Sequence, residues 1–176
     1  MKKKILILPL AIFLSILLIF SYLLIIERNP QEIPSNLINK KFPDFESNSL
    51  FKNGKFTLSE MLNNKITLVN FFATWCKPCR DEHSYIKKFS LQKEIRVIGI
   101  NYKDDSKKTI KWLNNLGNPY YEVLLDKKGK IAIDWGVYGI PETFVINSEG
   151  IILHRQAGPI TDQIYNKINL LIKEYK

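Results

Sequence analysis

The apolar residues of this chain are grouped into short runs, many of them rich in β-branched side chains, and these runs alternate with amphipathic segments. Short apolar runs bounded by turn residues are typical of buried strands, whereas apolar residues three or four positions apart are typical of helices. The pattern predicts strands over residues 66–72, 95–101, 120–126, 143–147 and 151–157. It predicts helices over residues 78–89, 105–117, 129–136 and 161–175. This order, which ends with a hairpin and a helix, predicts an α/β fold with a central sheet covered by helices.

Local signals define two of these helices more closely. Asp105 or Ser106 is expected to cap the start of the helix at 105–117, and Gly117 is a typical stop. The last helix is predicted to be amphipathic, with an apolar face formed by Ile164, Ile168, Leu171 and Ile172.

The longest apolar stretch lies at the amino terminus. No residue from Ile5 to Ile26 is charged. As a helix rising about 1.5 Å per residue, this run would span about 33 Å, enough for the hydrocarbon core of a bilayer. A cleaved signal peptide has a shorter apolar region that ends in small residues, which this run lacks. Residues 1–28 are therefore predicted to form an uncleaved membrane anchor.

The flanking charges predict the orientation of this anchor. Lys2–Lys4 precede the apolar run, and only Arg28 follows it closely as a positive charge. The positive-inside rule places the amino terminus in the cytoplasm and the rest of the chain outside, which in a bacterium is the periplasm or outer surface. Residues 29–40, with two prolines and several polar residues, are predicted to form a periplasmic tether, and residues 41–176 a single domain.

The basic character of the chain raises the question of whether it binds nucleic acid. The formal net charge is +9, but the lysines are scattered and no basic block is interleaved with aromatic residues. Because nucleic-acid binding favours a clustered basic face, the composition indicates a solvated basic surface and no nucleic-acid partner.

The candidate chemistry lies in the only two cysteines, Cys76 and Cys79, within the sequence WCKPC. They follow the predicted strand at 66–72 and open the next predicted helix, where unpaired backbone N–H groups and the helix dipole stabilise a thiolate. Cys79 can reach back to Cys76 from within the first turn. This placement predicts a reversible disulfide, in which Cys76 attacks a partner disulfide and Cys79 resolves the mixed disulfide.

Two other roles of the cysteine pair are weaker alternatives. A purely structural bridge would close a very short loop and constrain the unfolded chain little. A metal site would need His83 and His154 in addition to the two cysteines, but structural zinc usually takes two paired sets of ligands, and His154 stands alone in a distant strand. We expect no metal and no cofactor other than the redox-active disulfide.

Three longer segments resemble a known family. VNFFATWCKPCRDEH (69–83) resembles the active-site region of the thioredoxin superfamily, in particular its membrane-anchored bacterial thiol reductases. GVYGIPETFVINSEGIILHRQAG (136–158) and INYKDDSKKTIKWLNNLGNPY (100–120) are similar to segments of the CcmG/DsbE family, thiol–disulfide proteins of cytochrome c maturation. The resemblance extends from about residue 40 to the end of the chain, and the amino-terminal anchor matches as well.

This resemblance implies a thioredoxin-like fold, with a central mixed β-sheet flanked by helices and one N-terminal transmembrane helix. It implies a protein held in the bacterial inner membrane with its C-terminal domain in the periplasm. Its expected activity is reduction of the two cysteines in the C-x-x-C-H haem-attachment motif of apocytochrome c. Its expected partners are apocytochrome c, other cytochrome c maturation proteins and a membrane electron donor of the DsbD or CcdA kind.

The resemblance also implies roles for individual residues. Cys76 matches the nucleophile of the family, and Cys79 matches the resolving thiol. Ile140 and Pro141 match its cis X-Pro pair, which would expose the Ile140 backbone beside Cys76 for an extended substrate peptide to pair with. Trp75 is expected to shield the cysteines and to line the docking surface.

A carboxylate is expected to accept the proton of the Cys79 thiol. Thioredoxin has a buried aspartate six residues before its first cysteine, but this chain has Asn70 there, which cannot take a proton. The candidates are Glu82, three residues after Cys79, and Glu142, which lies in the family signature. A solvated role for Glu82 and a structural role for Glu142 stay open on the sequence alone.

The sequence favours a reductase dedicated to cytochrome c maturation over two other functions. A thiol reductase of broader specificity is one alternative. The other is a copper-binding assembly chaperone on the same fold, although such chaperones usually carry C-x-x-x-C, one residue longer than the spacing here. The direction of electron flow also stays open, because it depends on how strongly the protein stabilises the thiolate.

Overall fold

The computed structural model describes three stretches of the chain, residues 2–25, 36–62 and 65–175. They belong to two units, and the first contains helix α1, Lys2–Ile25. In the part of the chain that the structure describes, no helix is both long and apolar enough to cross a membrane. The predicted span over residues 5–26 stays a prediction. Residues 29–35 of the predicted tether lie outside the described residues.

The second unit contains all the described strands and the remaining described helices. In chain order they are β1 (Glu46–Asn48), β2 (Lys55–Thr57), α2 (Leu58–Met61), β3 (Ile66–Phe72), α3 (Lys77–Ser90), β4 (Ile95–Tyr102), α4 (Ser106–Leu116), β5 (Glu122–Asp126), α5 (Lys130–Asp134), β6 (Glu142–Ile146), β7 (Ile152–Ala157) and α6 (Asp162–Glu174).

The core of this unit is a five-stranded mixed sheet with the strand order β5-β4-β3-β6-β7. Strands β3, β4 and β5 are parallel, whereas β6 is antiparallel to β3 and β7 is antiparallel to β6. The predicted central mixed sheet is confirmed, and so are the five strands and four helices predicted for it. The sequence pattern does not predict α2 or the separate antiparallel pair formed by β1 and β2.

Both faces of the sheet are covered, and β3 shows this most clearly because every one of its residues is buried. Phe72 belongs to an apolar cluster on the face covered by α3, α4 and α6, and this cluster includes both cysteines. Val69 and Phe71 point the other way, into a cluster with Trp135 and residues of α2 and α5. Because side chains alternate along a strand, Asn70 shares the face of Phe72. The only side-chain amide of β3 therefore lies on the cysteine side of the sheet.

Helix α4 is fixed at both ends. Asp105 is its N-cap and Gly117, with a φ of 86°, is its C-cap, both as predicted. From α3, the Nε2–H of His83 donates to Gly117 O at 2.8 Å, and Lys87 Nζ donates to Leu116 O at 3.0 Å. These bonds satisfy carbonyl groups that a helix end leaves without partners. Helix α3 thus supports the end of α4 as well as the cysteine pair.

Residues before β3 cover parts of both sheet edges, which limits unwanted strand pairing. At β5, Leu50 N–H donates to Val123 O at 2.8 Å. At β7, Asn39 N–H donates to Ile152 O at 2.8 Å, and Ile152 N–H donates to Lys40 O at 2.9 Å. The last residues of the predicted tether are therefore hydrogen-bonded to the sheet.

Candidate active site

The cysteine pair lies at the junction predicted from the sequence, between the end of β3 and the start of α3. A turn over residues 73–76, here called the active-site turn, is closed by a hydrogen bond from Cys76 N–H to Ala73 O at 3.3 Å. Cys76 is the N-cap of α3, and its Sγ accepts a hydrogen bond from Cys79 N–H at 3.1 Å. The two cysteines form a disulfide with an S–S distance of 2.06 Å. When the bond is reduced, the same N–H group and the helix dipole are placed to stabilise a Cys76 thiolate.

The Ile140–Pro141 peptide bond is cis, as the resemblance implied. The carbonyl oxygen of Ile140 lies 3.6 Å from Cys76 Sγ, so the backbone of this loop borders the attacking sulfur. Tyr138 and Gly139, just before it, are exposed. The loop therefore offers backbone groups beside Cys76, and their pairing with a substrate peptide stays a prediction.

Glu82 is buried, with 1% of its surface exposed, and does not have the solvated position that the sequence left open. Its Oε1 accepts a hydrogen bond from Asn70 Nδ2 at 2.8 Å, and its Oε2 accepts one from Ile160 N–H at 2.9 Å. Burial raises the pKa of Glu82 to about 7, and the two hydrogen bonds partly oppose this rise. A carboxyl group that titrates near neutral pH thus lies one helical turn after Cys79.

Asn70 is the centre of the hydrogen bonds that hold Glu82. Its Nδ2 also donates to Thr143 Oγ1 at 3.0 Å, and its Oδ1 accepts from the hydroxyl of Tyr120 at 2.8 Å. We call these four side chains the Glu82 network. Burial, and then the negative charge of Glu82, raises the pKa of Tyr120. The tyrosine hydroxyl therefore keeps its proton and donates a hydrogen bond to Asn70 Oδ1.

Sequence reasoning missed Tyr120 and Thr143. Each is far from Asn70 along the chain. Thr143 reaches it because β6 pairs with β3. Tyr120 precedes β5 and reaches it across Gly99 of β4, the residue that pairs with Asn70. Tyr120 carried no signal beyond its place in a predicted strand. Because Tyr120 and Thr143 both bond to the Asn70 amide, this side chain has defined partners in the site. It does more than leave out the aspartate that thioredoxin has at this position.

Glu142 is as buried as Glu82 but has a different partner. Its Oε1 accepts a hydrogen bond from Arg155 Nε, and Arg155 Nη2 donates to Gly136 O at 2.8 Å. Burial raises the pKa of Glu142, and the Arg155 guanidinium opposes that rise. The structure thus places Glu142 in a buried ion pair that also fastens the loop before Ile140. Its predicted catalytic role stays a prediction.

Trp75 is 59% exposed and lies beside the disulfide in the sequence. Its indole N–H donates to Lys103 O at 3.3 Å, which fixes the ring without burying it. This exposure agrees with the docking role expected for Trp75, which stays a prediction.

No group of three or more His, Cys, Asp or Glu side chains in the described stretches could hold a metal ion. Within the disulfide both sulfur atoms are already bonded. His83 uses its Nε2 on Gly117 O, and His154 lies in β7. The expected absence of a metal stays a prediction.

Comparison with known proteins agrees with this geometry. Residues 37–168 match the Redoxin family. The thiol:disulfide interchange protein DsbE of Yersinia pestis is 43% identical, in an alignment that covers 99% of this chain and 95% of the relative. DsbE of Escherichia coli K12 is 44% identical over 173 residues, covering 95% and 92%. The crystal structure of a Chlorobium tepidum protein described as DsbE covers 78% of this chain and 96% of its own, with 24% identity and a TM-score of 0.69, and supports the fold.

Proposed function

We propose that this chain, which belongs to the DsbE family of thiol:disulfide interchange proteins and is a thiol–disulfide oxidoreductase, reduces the haem-attachment cysteines of apocytochrome c. The observation that carries the proposal is the position of Ile140. Its carbonyl oxygen lies 3.6 Å from Cys76 Sγ, within the segment that resembles the signature of cytochrome c maturation proteins. This short distance supports the proposal that an extended substrate peptide pairs with the Ile140 backbone while Cys76 attacks it.

The first step is attack by the reduced protein. The Cys76 thiolate, stabilised by Cys79 N–H, attacks one sulfur of the apocytochrome disulfide. A Cys76–substrate disulfide forms, the substrate S–S bond breaks, and the second substrate sulfur leaves as a thiolate. The substrate chain is held in this step by pairing with the Ile140 backbone and by contact with Trp75.

The second step releases the reduced substrate. The Cys79 thiol passes its proton to the Glu82 carboxylate and attacks Cys76, so the Cys76–Cys79 disulfide forms and the first substrate sulfur leaves as a thiolate. Two electrons move from the protein to the substrate. Because the pKa of Glu82 is about 7, a large share of the protein holds the proton-accepting form at neutral pH. The disulfide is then reduced again by a membrane donor of the DsbD or CcdA kind.

The proposal extends to the location of the protein. Residues 1–28 act as a single membrane anchor in the inner membrane of a bacterium, and the domain from residue 41 works in the periplasm. The uncharged run from Ile5 to Ile26 and Lys2–Lys4 before it support this arrangement. Alkaline extraction of membranes, with protease added outside spheroplasts, tests it. Release by alkali, or protection of the domain from the protease, contradicts it.

A trapping experiment tests the substrate. The full chain with Cys79→Ser, reduced and kept in detergent, is mixed with an oxidised apocytochrome peptide that contains C-x-x-C-H. We expect a mixed disulfide through Cys76, which is absent in Cys76→Ser. An oxidised peptide of the same composition but scrambled around its two cysteines is the matched control. Equal trapping of both peptides contradicts a dedicated substrate and favours the broader reductase.

The direction of electron flow needs its own measurement. The equilibrium reduction potential of Cys76–Cys79 is obtained by titration of the full chain against glutathione or dithiothreitol. A value of roughly −200 mV or lower supports a reductase, whereas a value near roughly −120 mV indicates a protein that oxidises its partners.

A further inference from the structure

A loop on the opposite side of the cysteine pair from Ile140 holds the active-site turn. This support loop, residues 103–105, connects β4 to α4. One carboxylate in it, Asp104, accepts two hydrogen bonds from Thr74, a residue of the active-site turn. Thr74 N–H donates to Asp104 Oδ2 at 2.6 Å, and Thr74 Oγ1 donates to Asp104 Oδ1 at 3.0 Å. The Asp104 carboxylate thus binds both the backbone and the side chain of Thr74.

The support loop is itself held in place. Asp104 also accepts hydrogen bonds from Asp105 N–H at 2.7 Å and from Asn101 Nδ2 at 3.3 Å. On the far side, Lys127 Nζ donates to Asp104 O at 2.7 Å and to Ser106 Oγ at 2.8 Å. The carboxylate therefore joins β4 and the start of α4 to the active-site turn, and the backbone carbonyl of Asp104 joins the same loop to the residue after β5.

Lys103 adds a further hydrogen bond between the support loop and the active-site turn. Its carbonyl oxygen accepts the indole N–H of Trp75, and its N–H donates to Asp126 O at 3.0 Å. Lys103 has a φ of 44°, a left-handed conformation that non-glycine residues rarely adopt. Such a conformation persists only where the surroundings enforce it, and it is common at functional sites. Two adjacent residues of the support loop thus bind the two residues that precede Cys76.

We propose that Asp104 is a positioning residue for the thiol–disulfide exchange. It acts through Thr74 and keeps the active-site turn in the conformation in which Cys76 Sγ faces Cys79 N–H. A thiolate at a helix start is stabilised only while its sulfur stays in line with the free N–H groups. This inference rests on the exchange reaction alone, and it holds whichever protein is the substrate.

If Asp104 positions the turn, its removal disfavours the Cys76 thiolate, whereas if Asp104 acts only through its charge, its removal favours the thiolate. A negative charge near Cys76 would disfavour the thiolate, so its removal by itself would favour thiolate formation. Release of Thr74 would let the sulfur leave the helix start and would disfavour the thiolate. The direction in which the titration of Cys76 moves therefore separates the two explanations.

The test compares three variants of the full chain, each in a Cys79→Ser background that leaves Cys76 as the only thiol. The rate of alkylation by iodoacetamide is measured against pH. For Asp104→Ala we expect the midpoint to move to higher pH and the rate at neutral pH to fall about threefold to tenfold, as for loss of an aligning hydrogen bond. Asp104→Asn should restore part of the rate, because an amide can accept from Thr74 N–H and donate to Thr74 Oγ1 but loses the bond from Asp105 N–H.

Asp105→Asn is the matched control, since Asp105 is the neighbouring acid and its side chain caps α4 at Lys108 N–H without contact to Thr74. It should leave the midpoint unchanged. The proposal is overturned if Asp104→Ala leaves the midpoint unchanged or lowers it, or if Asp105→Asn raises it equally. Should Asp104→Ala fail to fold, Thr74→Val removes only the hydroxyl bond. A smaller rise of the midpoint in that variant supports the proposal, and no rise overturns it.

Discussion

Glu82 and Glu142 are buried to the same extent, each with 1% of its surface exposed, but the protein compensates their charges differently. Glu142 is paired with the guanidinium of Arg155, whereas Glu82 accepts hydrogen bonds from the neutral N–H groups of Asn70 and Ile160. Burial raises the pKa of both, to about 7 for Glu82. Equal exposure therefore has two different chemical settings: a cation holds Glu142 in an ion pair, whereas neutral N–H groups hold Glu82 as a carboxyl that can exchange a proton near neutral pH.

The largest expected effect comes from removing the cation at Glu142. Arg155→Met leaves a buried carboxylate without its partner and should reduce the free energy of unfolding by about 3–5 kcal/mol. Urea unfolding of the variant checks this loss. The exposed pair of Lys55 and Glu46 provides a control, because Lys55→Met should leave stability nearly unchanged. If the double variant Glu142→Leu, Arg155→Met is no more stable than Arg155→Met, the loss does not come from the unpaired carboxylate.

The next largest effect is the pH dependence of stability that Glu82 is expected to cause. Because burial raises the pKa of Glu82 from 4.5 to about 7, the folded state favours the protonated carboxyl. That stability is fully present below about pH 4.5 and is lost as pH rises through about 7, a change of about 3 kcal/mol. Urea unfolding of wild type and Glu82→Gln across this range measures it, since glutamine imitates the protonated form. Asp81→Asn, an exposed neighbour on α3, should keep the wild-type pH dependence, and a parallel course of wild type and Glu82→Gln contradicts the prediction.

A kinetic effect of similar or smaller size is expected at the same residue. Glu82→Gln cannot accept the proton of Cys79, so resolution of a mixed disulfide should slow by about a hundredfold and lose its rise near pH 7. Stopped-flow measurement of substrate release checks this. Glu142→Gln should keep the rise near pH 7 even if it is less stable. An unchanged rate in Glu82→Gln would remove the residue from the mechanism.

The smallest expected effect lies at the edge of the Glu82 network. Tyr120→Phe removes the hydroxyl that donates to Asn70 Oδ1 and should cost about 1 kcal/mol in unfolding free energy. Tyr121→Phe removes a neighbouring exposed hydroxyl and should cost almost nothing. Equal losses in the two variants would mean that the buried hydrogen bond contributes nothing measurable.

The fold could be predicted to a large extent because its main signals are local. The run ITLVNFF coincides with β3, and the residues that end α4 are recognisable as caps. By contrast, β1 and β2 have three residues each and pair only with one another. Strands that short have no periodicity to detect, and their pairing depends on tertiary packing.

From the residues alone, the site was predictable only as far as its chemistry depends on neighbours in sequence, whereas the place of Ile140 and Pro141 beside Cys76 came from the family resemblance. Glu82 could be proposed because it follows Cys79 by three residues on one helix. Its burial and its bond to Asn70 join elements that only the folded sheet brings together. Arg155 gave no signal at all, since a basic residue in a hairpin strand is most often a solvated one. The partner that distinguishes Glu142 from Glu82 therefore had to come from the structure.

Successive side chains of β3 point to opposite faces of the sheet, and this alternation limits where the sequence can gain or lose residues. An insertion or deletion of one residue within Ile66–Phe72 would reverse the side to which the following residues point. Asn70 would then face the apolar cluster around Trp135, and Phe71 would enter the Glu82 network. A buried amide without partners costs roughly 1–3 kcal/mol, and the proton-accepting site would be lost as well. Related sequences are expected to gain or lose residues in turns such as 147–150, while β3 keeps its length.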